Sequence, residues 1–421
     1  MRRTNRVSLA AVAVATLALT ACGGDDEGGG SGGGGGQAAG PIKLGVITSL
    51  SGSTSAGFVG VEEGIDARLQ AYKAEGGDCA DTEFEVVMGD DTSTPQGALT
   101  AAQKLVQQDD VYAVMPITSF GSGSAQYLAT QAADRPVVGT SFDAAPQWLD
   151  ESVTNFFSAN GSNTPTNVSS TYGEYWDEIG GTKVAVVAVD TASSSTAALA
   201  TLQSGVEAGL EEAYQNVKLP IGTTDVGAVV LGIKDSGADV LYMPVTPQTA
   251  FAIVGGLKQS GVALKSVLTP TGYGADLLAS PPTLAAAEGV GFTTATAPIE
   301  LDTEATKTQA EALKEYAGSQ SGLPSFSQGQ GWIVADLFLH GLEVAGCDAS
   351  QADYIETLRK DKTWDAGGLY TETVDFSKRG DLAQAHGPGN CFFVSIVKNG
   401  AFVPDENAKP ICGEIIGKVQ E

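Results

Sequence analysis

The sequence predicts an α/β protein whose parallel sheets form two domains. Short β-rich segments alternate with segments of helical periodicity, which is typical of βαβ units and of a parallel sheet covered on both faces. This alternation begins at Ile42 and begins again at Val184. The roughly 380 residues from Ile42 onward exceed what one hydrophobic core usually contains, so two domains are expected.

The elements are predicted from apolar runs and from helical spacing bounded by caps. In the first series, strands are expected at 42–48, 84–88, 111–115 and 136–139, with helices at about 59–73, 95–107 and 123–133. In the second series, strands are expected at 184–189, 240–243, 266–268 and 291–294, with helices at about 196–214 and 249–259. Later helices run from Asp302 or Thr303 to Gly318 and from about 332 to 344, and the segment FFVSIVKNGAFV at 392–403 is typical of a hairpin.

The first twenty-two residues predict export. Arg2, Arg3 and Arg6 precede an uncharged, mostly apolar run at 7–21, which is shorter than the ~20 residues of a membrane span. The ending Leu19-Thr20-Ala21-Cys22 resembles the bacterial lipobox, in which the cysteine is lipidated and becomes the new N-terminus. The alternative is an ordinary secretory signal with an accidental cysteine. We expect a signal peptide at 1–21 and a lipid anchor on Cys22, at the outer face of a bacterial cell membrane.

Residues 23–40, GGDDEGGGSGGGGGQAAG, carry no apolar side chain larger than that of alanine. A segment of this composition cannot form a core, so 22–40 is expected to be a disordered tether, with structure starting near Pro41. The 23 basic residues of the chain are outnumbered by 50 acidic ones, which gives a net charge of −27. Such a charge argues against nucleic acid or anionic membrane surfaces as partners and favours solubility or cationic ligands.

Four cysteines remain after Cys22: Cys79, Cys347, Cys391 and Cys412. An even number fits disulfides in an oxidising compartment, and three pairings are open. The chain has two histidines and no CxxC pair, so we expect no zinc site and no other metal or cofactor.

Two segments of the chain are alike. VYAVMPITS at 111–119 and DVLYMPVTP at 239–247 each form an apolar strand that ends in Met-Pro and leads to a threonine before a helix. Open α/β sheets bind ligands at the carboxyl ends of their strands. If two lobes face each other, Thr118 and Thr246 would line opposite walls of one cleft. The alternative is a coincidence among common strand residues.

A family resemblance rests on the order and spacing of several segments. They are VITSLSGSTSAGFVGVEEGIDARLQAY at 46–72, the stretch from 86 to 119, RPVVGTSFDAAP at 135–146, GADVLYMP at 237–244, AAEGVGF at 286–292 and GWIVADLFLHGLEVAG at 331–346. Together they resemble the leucine/isoleucine/valine-binding type of periplasmic binding protein, the receptors of ABC importers. The resemblance implies two Rossmann-like lobes that are joined by three crossings and close on a ligand.

By this resemblance the first lobe contains 41–160 and 297–364, and the second contains 161–296 and 365–421. Cys79 and Cys347 then share one lobe, and Cys391 and Cys412, which bracket the predicted hairpin, share the other. The resemblance therefore favours the pairings Cys79–Cys347 and Cys391–Cys412.

The resemblance also implies ligand-binding positions in the first lobe. Ser51 and Phe58 lie in the turn after the first strand. Ser119, with Thr118, matches the hydroxyl position that meets a ligand carboxylate in the family. After the fourth strand the chain has Ser141-Phe142-Asp143-Ala144, where relatives carry a small residue followed by threonine. Asp143 could pair with a ligand ammonium group or could cap the helix before Pro146.

In the second lobe the matching positions are Ser194, Thr246 and Thr271, with Tyr273 just beyond them. Relatives use aromatic residues at the first two positions and often an acid at the third, so this chain departs at all three. We expect a cleft richer in hydroxyl groups, with Tyr273 exposed in it, and a specificity other than that of a plain leucine receptor. Each hydroxyl residue could instead be a turn or cap residue.

Enzyme chemistry has little support in the sequence. There is no GxxxxGK[ST], no HExxH and no GxSxG elbow between a strand and a helix. His340 is expected to pack, His386 to lie in a loop, and Asp90 and Asp91 to be structural. We expect a monomeric, lipid-anchored receptor that binds a small polar solute and presents it to ABC permease subunits. The alternatives are a ligand sensor of the same fold and, remotely, a hydrolase that uses Asp143.

Overall fold

A computed structural model describes residues 40–141, 143, 145–160, 166–378, 390–406 and 410–420. The predicted signal peptide, the lipidation site at Cys22 and nearly all of the tether lie outside these residues, as do Phe142, Ala144 and His386. Within the described ranges, no helix combines the length and the hydrophobicity that a membrane crossing needs.

The described strands and helices follow each other along the whole chain. The strands are β1 Ile42–Thr48, β2 Phe84–Asp90, β3 Ala113–Pro116, β4 Val137–Gly139, β5 Phe156–Ser158, β6 Asn167–Ser169, β7 Lys183–Val189, β8 Glu211–Leu219, β9 Val240–Tyr242, β10 Ser266–Thr269, β11 Gly291–Thr294, β12 Cys391–Lys398, β13 Ala401–Pro404, β14 Ile411–Cys412 and β15 Ile415–Lys418. The α-helices are α1 Val61–Glu75, α2 Pro95–Gln107, α3 Ser122–Thr130, α4 Thr171–Glu178, α5 Ala192–Glu207, α6 Gly227–Ser236, α7 Pro247–Gln259, α8 Ala275–Ala279, α9 Pro281–Ala287, α10 Glu304–Tyr316, α11 Phe326–Ala345 and α12 Gln351–Leu358. Single 3-10 turns lie at Ser55–Gly57, Pro146–Trp148 and Ile299–Leu301.

Two sheets organise these elements into two lobes. The first is parallel throughout, in the order β2-β1-β3-β4-β5. The second has the order β13-β12-β11-β10-β9-β7-β8; its strands from β8 to β11 are parallel, and the β12–β13 hairpin adds an antiparallel edge. The predicted two-lobed α/β fold with parallel sheets and the predicted hairpin are confirmed.

Each sheet has hydrophobic packing on both faces, as a sheet that is covered by helices requires. In the first lobe, α1 and α11 pack on one face and α2 and α3 on the other. In the second lobe, α6 and α7 cover one face, and α4 and α5 cover the other. The helices α1 and α11 approach so closely that a Cβ atom added to Gly64 would lie 2.2 Å from the carbonyl oxygen of Gln328.

The third crossing between the lobes comes later than expected. The core of the first lobe includes Leu369, Tyr370, Val374 and Phe376, which were assigned to the second lobe by the boundary at 364. Tyr370 Oη donates a hydrogen bond to the carbonyl oxygen of Ala159 in the first lobe. These apolar side chains therefore belong to the first lobe, which extends at least to Phe376.

One predicted helix was too long. The helix expected at 196–214 ends at Glu207, and β8 begins at Glu211 after Gly209, whose φ of 96° suits glycine. The segment of β8 has few apolar residues, so its sequence does not indicate a strand. It becomes a strand because it pairs with β7.

Both disulfides favoured by the family resemblance are present. Cys79–Cys347 joins the chain after α1 to the chain after α11, in the first lobe. Cys391–Cys412 joins β12 to β14, whose residues pair directly. His340 packs on α11 as expected, and its Nε2 lies 2.9 Å from Asp361 Oδ2.

Candidate functional site

A cavity of about 900 Å³ lies at the carboxyl ends of the parallel strands of both sheets. From the first lobe it is lined by the turn after β1, by Ser119 after β3 and by the start of α11. From the second lobe it is lined by the starts of α5 and α7 and by the loops after β10 and β11. Open α/β sheets offer ligand sites at this edge, because helix starts and loop backbones converge there.

Six of the sequence-predicted site residues line this cavity: Phe58, Ser119, Ser194, Thr246, Thr271 and Tyr273. They come from five different loops or helix starts, and the fold brings them together from positions up to 215 residues apart in the chain. Tyr273 differs from the expectation of exposure. Its side chain is 6% exposed and packs on Phe402 with 4.7 Å between ring centroids, and its hydroxyl donates to Glu300 Oε2 at 2.8 Å.

Three other predicted residues do not line the cavity, and their hydroxyl groups bond within the first lobe. Ser51 Oγ donates to Asp90 Oδ2 at 2.5 Å. Thr118 is buried and donates to Asp91 Oδ2, so the neighbouring Ser119 takes the cavity position that the repeated segment had suggested for Thr118. Ser141 accepts a hydrogen bond from Ser158 Oγ at 3.0 Å.

Asp143 also lies outside the lining of the cavity and is 2% exposed. Its Oδ1 accepts hydrogen bonds from Trp148 Nε1 at 2.7 Å and from the backbone N–H of Ala145 at 3.1 Å. These bonds fix the turn that leads into the 3-10 helix. Burial raises the pKa of Asp143 to about 7, against the opposing effect of the bonds from Ala145 and Trp148.

Asp91 holds two parts of the first-lobe wall in place. Its Oδ1 accepts from Ser49 Oγ and from the backbone N–H of Ser93, both at 2.7 Å, and its Oδ2 accepts from Thr118 Oγ1. Ser93 Oγ in turn accepts from the backbone N–H of Thr54, which lines the cavity. These contacts, and the bond between Asp90 and Ser51, support the predicted structural role of Asp90 and Asp91.

An aromatic cluster in the second lobe was missed by sequence reasoning. Tyr172, Tyr242 and Phe392 line the cavity, with the Tyr172 ring 5.0 Å from Tyr242 and 4.8 Å from Phe392 between centroids. The hydroxyl of Tyr172 bonds to Thr293 and Tyr242, and burial raises the pKa of Tyr172. Of the three, Tyr242 could have been predicted from the sequence, because it lies near the carboxyl end of a predicted strand, where ligand sites are expected.

Charge is scarce in this site. Among the described residues that line the cavity, Asp276 is the one acidic residue, and no arginine, lysine, histidine or glutamate is present. Asp276 lies in the first turn of α8 and is exposed. The described wall is otherwise built from hydroxyl, amide, aromatic and aliphatic groups, so it can hold an apolar body and hydrogen-bond a polar head.

Known structures resemble this fold over nearly their whole length. A solute-binding protein of an ABC transporter from R. palustris, solved with 4-hydroxybenzoate, is 20% identical, with a TM-score of 0.68 over 89% of this chain and 98% of that chain. The leucine-binding protein LivK of Thermotoga maritima is 20% identical, with a TM-score of 0.68 over 88% and 99%. A fatty acid ABC transporter substrate-binding protein from Thermomonospora curvata is 20% identical, with a TM-score of 0.69 over 89% and 95%. At 20% sequence identity, these similarities show that the fold is shared.

No curated protein matches the chain in a sequence comparison. A family model described as periplasmic binding protein matches residues 41–401, which include the first sheet, the second sheet as far as the start of β13, and every described residue that lines the cavity. This match extends over most of the chain and agrees with the two-lobed architecture. The chain belongs to the periplasmic binding protein family.

Proposed function

We propose that this protein is the lipid-anchored, extracytoplasmic substrate-binding component of an ABC importer. The observation that carries the proposal is the cavity of about 900 Å³, which residues from both lobes line at the carboxyl ends of their strands. Its size is in the range of small-molecule sites. The names of the similar structures support the same role, since they include ABC-transporter binding proteins solved with aromatic acids, an ABC-transporter binding protein for fatty acids, and a leucine-binding protein.

The proposed mechanism is closure of the lobes on a solute. The solute first contacts one wall, and approach of the other wall completes the hydrogen bonds and excludes water. The permease then recognises the closed form. The first lobe contributes Ser119 and Phe58 to the proposed ligand-binding surface. The second lobe contributes Ser194, Thr246 and Thr271.

A thermal-shift screen of small solutes, followed by calorimetry, tests the binding role. A solute at 100 times its dissociation constant stabilises the folded protein by about 2.7 kcal/mol. The variant Ser194→Trp should strongly reduce the shift by placing an indole ring inside the cavity, whereas Glu207→Trp, at the other end of α5 and exposed, should retain it. A shift that Ser194→Trp leaves unchanged would place the ligand elsewhere and contradict the proposal.

Anchoring and transport need separate tests. Cys22→Ser should release the protein from the cell surface into the medium and remove the lipid mass from its N-terminus. Loss of the gene should reduce uptake of the identified solute, and complementation by Cys22→Ser should be incomplete. Specific binding with unchanged uptake would favour the ligand sensor over the importer component.

A further inference from the structure

The charge of the cavity wall restricts the ligand, on the assumption that the cavity is the solute site proposed above. Asp276 is the one acidic or basic side chain among the described lining residues, and the chain as a whole carries −27 charges. An anionic ligand would meet no side-chain cation among those residues and would enter against a negative field. A cationic ligand would be attracted by both.

Three hydroxyl groups of the wall are already committed as hydrogen-bond donors. Thr271 Oγ1 donates to the carbonyl oxygen of Val245 at 2.6 Å, and Thr171 Oγ1 donates to that of Asn390 at 2.6 Å. Ser327 Oγ donates to the carbonyl oxygen of Gly57 at 2.5 Å. A hydroxyl has one proton to give and two lone pairs to offer. These three hydroxyl groups can therefore accept hydrogen bonds from a ligand, but they have no proton left to donate.

The same reasoning fixes the direction of the bond at Thr246. Thr246 Oγ1 lies 3.0 Å from Thr249 Oγ1, and Thr249 Oγ1 already donates to the carbonyl oxygen of Thr223 at 2.7 Å. The proton between the two hydroxyls is therefore that of Thr246. Gln330 adds another acceptor, because its Oε1 is buried in the cavity wall and receives no hydrogen bond from the described residues.

The helices α5, α7 and α11 begin at the cavity, but some of the backbone N–H groups at their N-termini cannot bind an anion. In α5 and α11 the backbone N–H of the third residue is already bonded to the cap hydroxyl, of Thr191 and Ser325 respectively. The helix α7 begins with Pro247, which has no N–H. These N–H groups, on which a carboxylate could otherwise rely, are occupied or missing.

Aromatic rings supply the apolar contacts. Phe58 and Phe326 face the cavity from the first lobe, and the cluster of Tyr172, Tyr242 and Phe392 faces it from the second. Rings of this kind attract cations through their faces as well as packing on apolar groups. Their presence on both walls suits a ligand with a flat or aliphatic body.

From these contacts we infer that the cavity selects an amine, with an aromatic or aliphatic body and a hydrogen-bond-donating ammonium head, and disfavours carboxylates. The acceptors and Asp276 receive the head, and the rings contact the body. This assignment names the ligand class of the proposed site, and it departs from the free amino-acid carboxylate that the family resemblance implies for Ser119.

A matched series of probes tests the inference: benzylamine, benzyl alcohol and benzoate, each titrated at millimolar concentration into the chain at neutral pH by ligand-observed NMR. The expected order of affinity is amine above alcohol above acid, with the amine favoured over the acid by about tenfold or more. If the acid binds as well as the amine, or if the amine fails to bind, the inference is overturned. Acid binding that Ser194→Trp abolishes would overturn it while leaving the proposed function intact.

A charge-matched pair of variants separates local from global electrostatics. Asp276→Asn should weaken benzylamine about two- to fivefold, as expected for an exposed ion pair, and should leave benzyl alcohol unchanged. Glu207→Gln removes the same charge from an exposed position outside the cavity lining and should change neither affinity. Equal weakening by both variants would contradict a role for Asp276 in the site.

Discussion

Asp143 is a buried carboxyl group that titrates in the neutral range. Burial raises its pKa from 3.8 to about 7, although Trp148 and the Ala145 N–H bond to it. Between these two values the folded protein binds the proton more tightly than the unfolded chain does. The contribution of this group to the free energy of unfolding is therefore fully present below about pH 4 and falls as the pH rises to about 7.

Asp143→Asn should remove that pH dependence. Asparagine keeps an oxygen for the Trp148 and Ala145 bonds and carries no charge to bury, so the variant should gain stability relative to the wild type from pH 4 to pH 8. The difference is on the order of 4 kcal/mol at most, since each unit of pKa is worth about 1.4 kcal/mol. Urea unfolding of both proteins at pH 5 and pH 8 measures it. Parallel pH profiles would show that Asp143 ionises normally.

Asp91 should be more sensitive to the loss of its charge. Three donors converge on this fully buried carboxylate, from Ser49, Ser93 and Thr118. In Asp91→Asn an amide NH2 would face one of these donors, which should lower the free energy of unfolding by about 1 to 3 kcal/mol. Asp225→Asn, an exposed change of the same charge, should be within about 0.5 kcal/mol of the wild type by urea unfolding. Equal stability of the two variants would mean that the Asp91 bonds add nothing.

The positions of site residues could be predicted where a single strand end determines them. Ser119, Ser194 and Thr246 each follow a strand that the sequence indicates, so their place in the cavity follows from the parallel sheet. Thr118 could not be separated from Ser119, because its partner Asp91 comes from another strand. Phe392 was missed because the predicted hairpin does not show that the start of β12 packs against Tyr172 of α4, a helix that was not predicted.

At the scale of elements, the central strands of the two sheets, such as β1, β7 and β9, were the most predictable, since both of their faces are buried and their apolar runs are continuous. The helix α2 begins and ends where its sequence predicts, because Thr94 caps it and Pro95 starts it. By contrast, α4 and β8 were not predicted. The segment EEAYQNVKL of β8 is mostly polar and becomes a strand through pairing with β7.

The contact between α1 and α11 depends on glycine. A Cβ atom on Gly331 would lie 2.3 Å from the carbonyl oxygen of Val61, which is backbone and cannot give way without moving the helix. Gly331→Ala should therefore lower the free energy of unfolding by about 1 to 3 kcal/mol through overpacking. Gly329→Ala, in the same helix with open space around the new atom, should raise it by about 0.5 to 1 kcal/mol.

Urea unfolding of the two alanine variants compares helix propensity with packing directly. Because both changes add the same methyl group to α11, propensity alone predicts that both stabilise. A stabilising effect of Gly331→Ala would show that the helices can separate without cost and that this contact does not hold α11 against the first sheet.

At the scale of the whole molecule, each disulfide joins two segments of the same lobe, and the lengths of chain between the paired cysteines differ greatly. Cys79–Cys347 spans 268 residues of sequence and includes the second sheet from β7 to β11, whereas Cys391–Cys412 spans 21. If a disulfide stabilises by lowering the chain entropy of the unfolded state, removing Cys79–Cys347 should lower the free energy of unfolding by about 5 to 6 kcal/mol. Removing Cys391–Cys412 should lower it by about 3 kcal/mol.

Replacing each cysteine pair by serine should therefore lower the midpoint of urea unfolding more for Cys79 and Cys347 than for Cys391 and Cys412. The local effects should differ as well. Loss of the Cys391–Cys412 bond should speed hydrogen exchange in β12 and β14, next to the cavity wall at Cys391, and leave α1 and α11 protected. Loss of Cys79–Cys347 should speed exchange at the ends of α1 and α11 instead. Increased exchange in both lobes of either variant would show that the lobes lose their structure together rather than independently.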